Sequence, residues 1–172
     1  MERAQVNVYD GLARKAAVIS PCEQYRYQLY RWWAVIPRRW VLWVMLNPSI
    51  ADANIDDPTI RRCIGFSKAW GYDGLMVGNL FAYRTTLPER LRQASDPMGP
   101  SNIEHLKTMA ATASGVVCGW GANTILTPSM LEPTFDVLRL MSLQCLGKTK
   151  SGQPRHPLYV ASSTPLESFS IT

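Results

Sequence analysis

The chain has 172 residues, 47% of them hydrophobic and 18% charged, with a formal net charge of +5. That size suits one α/β domain over residues 1–172, able to bury about 70% of its extended-chain surface without a disulfide or metal staple. The composition is that of a globular protein and no apolar run approaches the ~20 residues of a membrane span, while the basic excess fits a polyanionic partner without spelling out a nucleic-acid motif.

Cys22, Cys63, Cys118 and Cys145 are far apart, with no Cys-x-x-Cys pair. This argues against a zinc ribbon or an iron–sulfur cluster and for reduced thiols in a cytoplasmic protein. No signal peptide is visible.

In chain order, Met1 to Ile19 is weakly patterned and is expected to be loosely held or partly helical. Ser20-Pro21-Cys22 marks a turn. Tyr25 to Trp33 alternates aromatic and polar residues at period two, which predicts a half-buried strand. Pro37-Arg38-Arg39 then turns the chain, predicting a hairpin with the next strand. That strand is Val41 to Leu46, an unbroken apolar run that stops at Asn47-Pro48-Ser49, as a central strand dry on both faces would. Asp57-Pro58 predicts a helix N-cap and first position, with Ile60, Cys63, Ile64 and Ser67 on one face and Gly71 as the stop.

Leu75 to Leu80 predicts a second buried strand, and Pro88 to Gln93 a short helical turn. Ser101-x-x-Glu104 has the form of a capping box opening a helix that buries Ile103, Leu106, Ala110 and Ala113. Val116 to Trp120 is a third strand ending at Gly121. Ser129 to Met141 is a further helix, with Pro133 in its first turn or delaying its start. Leu143 to Leu146 is a fourth strand, followed by a basic loop, Lys148 to Pro154, expected to be flexible.

Strands alternating with helices predict a three-layer αβα sandwich. Its sheet is expected to hold about four mostly parallel strands plus an N-terminal antiparallel strand. Ligands in such sheets bind beyond the carboxyl ends of the strands. Those ends would put Asn47, Asn79, Trp120-Gly121 and the His156 loop on one rim.

Asn47 can orient a water or bind a sugar or base, although its amide cannot take a proton as a carboxylate does. Its ordinary alternative is a turn residue, and Pro48 and Ser49 share its loop. Asp52, Asp56 and Asp57 form an acidic knot in which two carboxylates could hold Mg²⁺ or one could act as a base. Asp57 reads more readily as a helix cap, and Asp52, nearest the strand end, is the better catalytic candidate. Asn79 interrupts an apolar strand, where either a nucleobase edge or the core backbone would satisfy its donor and acceptor.

His156 could stabilise charge on a departing base, though a lone histidine is more often a surface residue. Lys148, Lys150 and Arg155 surround it in sequence and could grip phosphates, as could Arg84 after its strand end. Arg61 and Arg62 read equally as a solvated helix face, and His105 as an ordinary helix residue. Trp70 and Trp120 lie near the expected cleft and could stack on a base. No metal and no redox cofactor is implied, and the oligomeric state is open.

The stretches MLNPSIAD, DDPTIRRC, WGY, NLFAYR, WG and LGKTKSGQPRHPLY, from about Cys22 to Pro165, closely resemble a bacterial and phage family of uncharacterised function. More distantly, the order of features resembles the uracil-DNA glycosylase superfamily. Asn47-Pro48 resembles the segment that positions its attacking water, and LMVGNLFAYR the segment whose Asn reads the extruded base. GVVCGWGAN resembles the next strand, and Arg155-His156-Pro157 the loop carrying a catalytic histidine. Leu158 replaces the superfamily's serine after His-Pro, and its base-stacking aromatic must be reassigned to Phe66, Trp70 or Phe81.

What the resemblance implies is hydrolysis of an N-glycosidic bond in DNA or a nucleotide, with Asn47, Asp52 and His156 as catalytic residues. The alternatives are a non-catalytic DNA- or nucleotide-binding module, and a metal-dependent hydrolase built on Asp52, Asp56 and Asp57.

Overall fold

The structure, a computed structural model, describes residues 3–7, 14–49, 51, 55–122 and 127–171. Its strands are β1 (Arg3–Asn7), β2 (Lys15–Ile19), β3 (Arg26–Trp32), β4 (Trp40–Met45), β5 (Gly74–Asn79), β6 (Gly115–Cys118), β7 (Leu143–Cys145) and β8 (Glu167–Phe169). The helices are α1 (Pro58–Ala69), α2 (Asn102–Thr112) and α3 (Pro128–Leu138). All eight strands form one sheet, in the order β1-β2-β3-β5-β4-β6-β7-β8.

β5, β4, β6 and β7 run parallel, the predicted inner sheet. The whole is nevertheless mixed, because β1, β2 and β3 add an antiparallel meander at one edge and β8 pairs antiparallel at the other. The segment expected to be loose or helical thus supplies β1 and β2. Their order comes from pairing with β3, a non-local contact that local patterning does not encode.

Two further expectations fail at β3. It is not half-buried: Arg26 and Gln28, on its supposed outer face, are only 2% and 7% exposed. Nor does it form a hairpin with β4, because β5 lies between them, with Gly74 opposite both Trp32 and Trp40. A Cβ at Gly74 would come within 2.9 Å of Trp32 and 2.7 Å of Trp40. Glycine lets the two indoles meet across the strand, their ring centroids 6.1 Å apart.

The apolar run of β4 divides by the pleat. Val41, Trp43 and Met45 pack with Ile60, Cys63 and Phe66 of α1 in one core. Leu42 and Val44 pack in the other with Leu106 and Met109 of α2 and Phe135 and Leu138 of α3. One helix therefore covers one face and two cover the opposite face.

Asp57 caps α1, its Oδ1 accepting from the Ile60 N–H at 2.8 Å, and Gly71 closes the following turn at φ +75°. The predicted capping box of α2 does not form. Ser101, at φ −113° and ψ 3°, is outside the extended geometry a cap needs and makes no side-chain bond to the helix. Pro133 sits inside α3, which begins earlier than predicted, at Pro128. The 148–154 loop is a closed turn: Thr149 N–H donates to the Gln153 carbonyl at 2.8 Å, and Gly152 N–H to the Thr149 carbonyl at 3.0 Å.

All four cysteines are free, and Cys22 alone among them is exposed. Among the described residues, no helix is long and apolar enough to cross a membrane.

Chain topology then locates a crevice. From β4 the chain passes over one face through α1 to β5, and returns over the other face through α2 to β6. The strand order therefore switches direction between β4 and β6, where loops diverge and open sheets bind ligands.

Candidate functional site

A cavity of about 660 Å³ opens at that switch point, on the α1 side of the carboxyl ends of β4 and β5. Met45, Ile60 and Val77 supply its apolar lining. Of the sequence-predicted residues, Asn47, Ser49, Asn79, Trp120, Gly121, Arg155 and His156 all line it. They come from three strand ends and the 155–156 segment, which explains why residues over a hundred positions apart meet.

Asn79 ends β5, directly opposite Met45 of β4. Its side chain is 1% exposed, and neither its Nδ2 nor its Oδ1 has a hydrogen-bond partner among the described residues. A buried amide without partners forfeits about 1–3 kcal/mol per unsatisfied group. Its backbone, by contrast, is firmly held, since buried Asn102 donates its Nδ2 to the Asn79 carbonyl at 3.1 Å and to the Leu80 carbonyl at 3.3 Å. A rigid strand end thus offers one donor pair and one acceptor to the cavity wall.

Asn47 is fixed differently. Its Nδ2 donates to the Pro48 carbonyl at 3.0 Å and to the Thr85 carbonyl at 2.8 Å. Two carbonyl partners identify that atom as the nitrogen and use both of its hydrogens, so Oδ1 is the acceptor left over. The amide can orient a water or a hydroxyl but cannot deprotonate it.

His156 precedes a 3-10 turn, Pro157–Tyr159, and its Nδ1 accepts from the Leu158 N–H at 3.3 Å. Burial lowers the imidazole pKa below its ordinary value, against a smaller upward pull from the Asp57 carboxylate. The neutral ring with its proton on Nε2 is therefore the resting form, a donor rather than a cation. Arg62 of α1 clamps this loop, donating Nε to the Pro157 carbonyl at 3.2 Å, Nη1 to Ser162 Oγ at 2.7 Å and Nη2 to the Val160 carbonyl. It is an anchor rather than the solvated or phosphate-binding residue that sequence suggests.

A depressed folded pKa makes the unfolded chain the better proton acceptor. The His156 contribution to stability is complete above the unfolded value of about 6.5 and is lost as pH falls from there through the folded value. Wild-type protein should lose more stability between pH 7.5 and 5 than His156→Gln, measured as denaturant midpoints. Parallel losses in the two proteins would contradict this assignment.

The Trp120 indole is 4% exposed and donates Nε1 to Gln153 Oε1 at 2.7 Å, tying the end of β6 to the 148–154 turn. In that turn Thr149 lines the cavity, whereas Lys148 and Lys150 do not. Their side chains are exposed on the outer side, because Lys148 pairs with Pro154 and the turn closes between them.

Trp70 is also absent from the cavity: it stacks on Trp43 and Phe66, with centroids 5.6 Å and 5.4 Å away. Phe66 and Phe81 are core residues, leaving Trp120 and Tyr159 as the lining aromatics. Pro48 is buried behind the lining, its carbonyl holding Asn47 and the Thr85 N–H. Arg84 lies in an adjoining groove. Asp52 is outside the described residues. Asp56 pairs with Lys15 at 3.2 Å and Arg31 at 2.6 Å, so it is occupied as an ion-pair hub.

The sequence does not single out Arg26, Thr59, Thr85 or Tyr159 as lining residues, and Asp57, which it offers as a helix cap or a member of the acidic knot, both caps α1 and lines the cavity. Arg26 is 2% exposed, and its Nη1 donates to the Ala51 carbonyl. It reaches the rim because β3 is antiparallel to β5, so the start of one meets the end of the other. Tyr159 was within reach of sequence reasoning, being three residues beyond His156, whose ring centroid is 5.5 Å away.

A family model described as "Protein of unknown function (DUF1643)" matches residues 26–158. No match was found among curated proteins or solved structures. The matched segment starts at β3 and ends within the Pro157–Tyr159 turn, so it spans the four parallel strands and nearly the whole cavity lining.

Proposed function

The chain belongs to the DUF1643 family, whose description names no activity, and from the geometry of its cavity we propose a nucleobase site of DNA-glycosylase type. The observation that carries this reading is Asn79, a buried amide at a strand end with donor and acceptor both unspent. A nucleobase edge with an adjacent acceptor and donor complements it, and enclosure of the base in the cavity matches how enzymes that act on a base extract it from the stack.

In the reaction, a water held by Asn47 Oδ1 adds to the sugar C1′ as the C1′–N bond breaks. The bonding electrons leave with the base, and the water's proton is released to solvent or to the departing base. The neutral His156 donates from Nε2 to the charge that builds on the base, which needs no proton transfer from the ring. The resemblance to the uracil-DNA glycosylase superfamily supports the reading, since the segments that carry it all border this cavity.

A second reading, binding of a nucleotide or DNA without catalysis, draws on the carboxylate inventory. Asp57 is the only carboxylate lining the cavity among the described residues, and it already caps α1. The metal-hydrolase reading draws little support, because Asp56 is bound to Lys15 and Arg31.

The test is abasic-site formation on a panel of duplex and single-stranded DNA carrying normal and modified bases. Turnover that falls roughly 100-fold or more in Asn47→Ala is expected, the scale of losing one preorganised polar contact at a reacting centre. Binding without product across the panel would select the second reading.

A further inference from the structure

Beside the main cavity lies a second, shallower groove lined by Glu23, Ser49, Arg84, Thr85, Thr86 and Arg90. It shares Ser49, Thr85 and Thr86 with the cavity, so the two compartments are continuous. Two guanidinium groups face one carboxylate there, a positive balance in a chain already at +5. Its polar lining contrasts with the apolar floor next door.

Arg84 is held in place by two carbonyls of the 23–24 turn. Its Nη1 donates to the Glu23 carbonyl at 3.0 Å, and its backbone N–H to the Gln24 carbonyl at 2.9 Å. Glu23 turns that carbonyl toward it from a left-handed conformation, φ 59°, unusual for a residue other than glycine. The guanidinium still has unspent donors, its buried Nε among them, with no partner among the described residues. Thr85 closes its hydroxyl on Leu87, accepting from N–H at 3.0 Å and donating to the carbonyl at 3.1 Å. It forms the ridge between the compartments, leaving the arginines as the charged wall.

We propose that this groove is a phosphate subsite, so that the ligand of the main cavity is a phosphorylated nucleoside or a nucleotide within a strand rather than a free base. The inference rests on the nucleobase reading of the main cavity for the identity of the ring. The anion class follows from the groove itself: the anchored Arg84 guanidinium with spare N–H donors, beside the exposed Arg90, suits phosphate oxygens, and a nucleotide carries its phosphate one sugar away from its base. A terminal monoester and a backbone diester offer the same oxygens.

Calorimetric titration of the full chain separates the cases, using the four deoxynucleosides, their 5′-monophosphates, inorganic phosphate and a single-stranded pentanucleotide. A monophosphate or the pentanucleotide should bind roughly tenfold or more tightly than the matching nucleoside, as charge-assisted contacts allow. That advantage should shrink in Arg84→Gln and in Arg90→Gln, while nucleoside affinity stays unchanged. Arg90 is exposed on a short 3-10 turn, so its variant should fold normally.

Preference for the pentanucleotide identifies a strand as the source, and preference for the monophosphate a free nucleotide. Inorganic phosphate that binds through Arg84 and Arg90 while no nucleoside binds would keep the groove and discard the nucleobase reading. Equal affinity with and without phosphate, an advantage that survives both substitutions, or no binding by any probe would overturn the proposal.

Discussion

Asn79→Leu should leave the fold as stable as wild type, or more so by up to about 1–3 kcal/mol, while weakening ligand binding roughly 100-fold or more. The two effects have one cause. The amide is 1% exposed and neither of its polar atoms has a partner among the described residues, so the free protein bears a desolvation cost that leucine of similar volume removes. The ligand then meets an apolar wall and must leave its own donor and acceptor unpaired, which is the larger loss.

Denaturant unfolding and calorimetric binding on the same preparation check both halves. Destabilisation beyond about 1 kcal/mol with binding intact would make Asn79 an ordinary core amide satisfied at home. Asn79→Asp provides the contrast, because a buried acceptor-only carboxylate should both destabilise the chain and misread the edge.

Trp43→Ala should cost about 3–5 kcal/mol and lower the melting temperature by roughly 6–20 °C, the largest stability effect expected in this chain. Trp43 is fully buried, stacks on Trp70 at 5.6 Å and lies 6.2 Å from Phe66. Its Nε1 donates to Ser67 Oγ at 3.0 Å, while Ser67 itself donates to the Cys63 carbonyl at 2.7 Å. Alanine there leaves a void between the central strand and α1, with stiff backbone on both sides. Trp43→Phe keeps a ring in the stack and leaves Ser67 bonded to Cys63, so it should cost less than half as much. Calorimetric melting of both variants decides. A Trp43→Ala protein melting within about 2 °C of wild type would mean that this layer repacks freely, contrary to close-packed cores.

The inner sheet was legible because its signals are local. Val41 to Leu46 has no polar residue to place outside, Asp57-Pro58 announces a helix start, and Asn79 is conspicuous in an apolar run. Parallel strands also carry their ends to one side, so the meeting of Asn47, Asn79, Trp120 and His156 followed from topology alone. What failed was non-local. β1 and β2 acquire order from a neighbour, and the false hairpin arose because sequence adjacency cannot reveal that β5 inserts between β3 and β4.

Trp70 was misplaced for a reason that simple geometry could have caught. α1 starts at the rim with Asp57 and runs 12 residues, about 18 Å, so its end must lie near the far edge of the sheet. Lys148 and Lys150 stand outside the cavity because a closed turn presents alternate residues to opposite sides, and Thr149 takes the inner position. Sequence singled out Arg84 and Ser49 but not the groove they share, since Glu23, Ser49, Arg84 and Arg90 belong to three separate loops.

The turn between β3 and β4 sits at the end of the strands remote from the cavity, and its tip carries Val35 and Ile36, 84% and 71% exposed. The molecule therefore has a handle as well as a working end. A cysteine introduced at Val35 in a chain whose exposed Cys22 has been replaced by serine, or a reporter spliced in there, would hold the protein with its mouth turned outward. Immobilised in that orientation, it could be screened against arrays of oligonucleotides without the attachment competing for the bound strand.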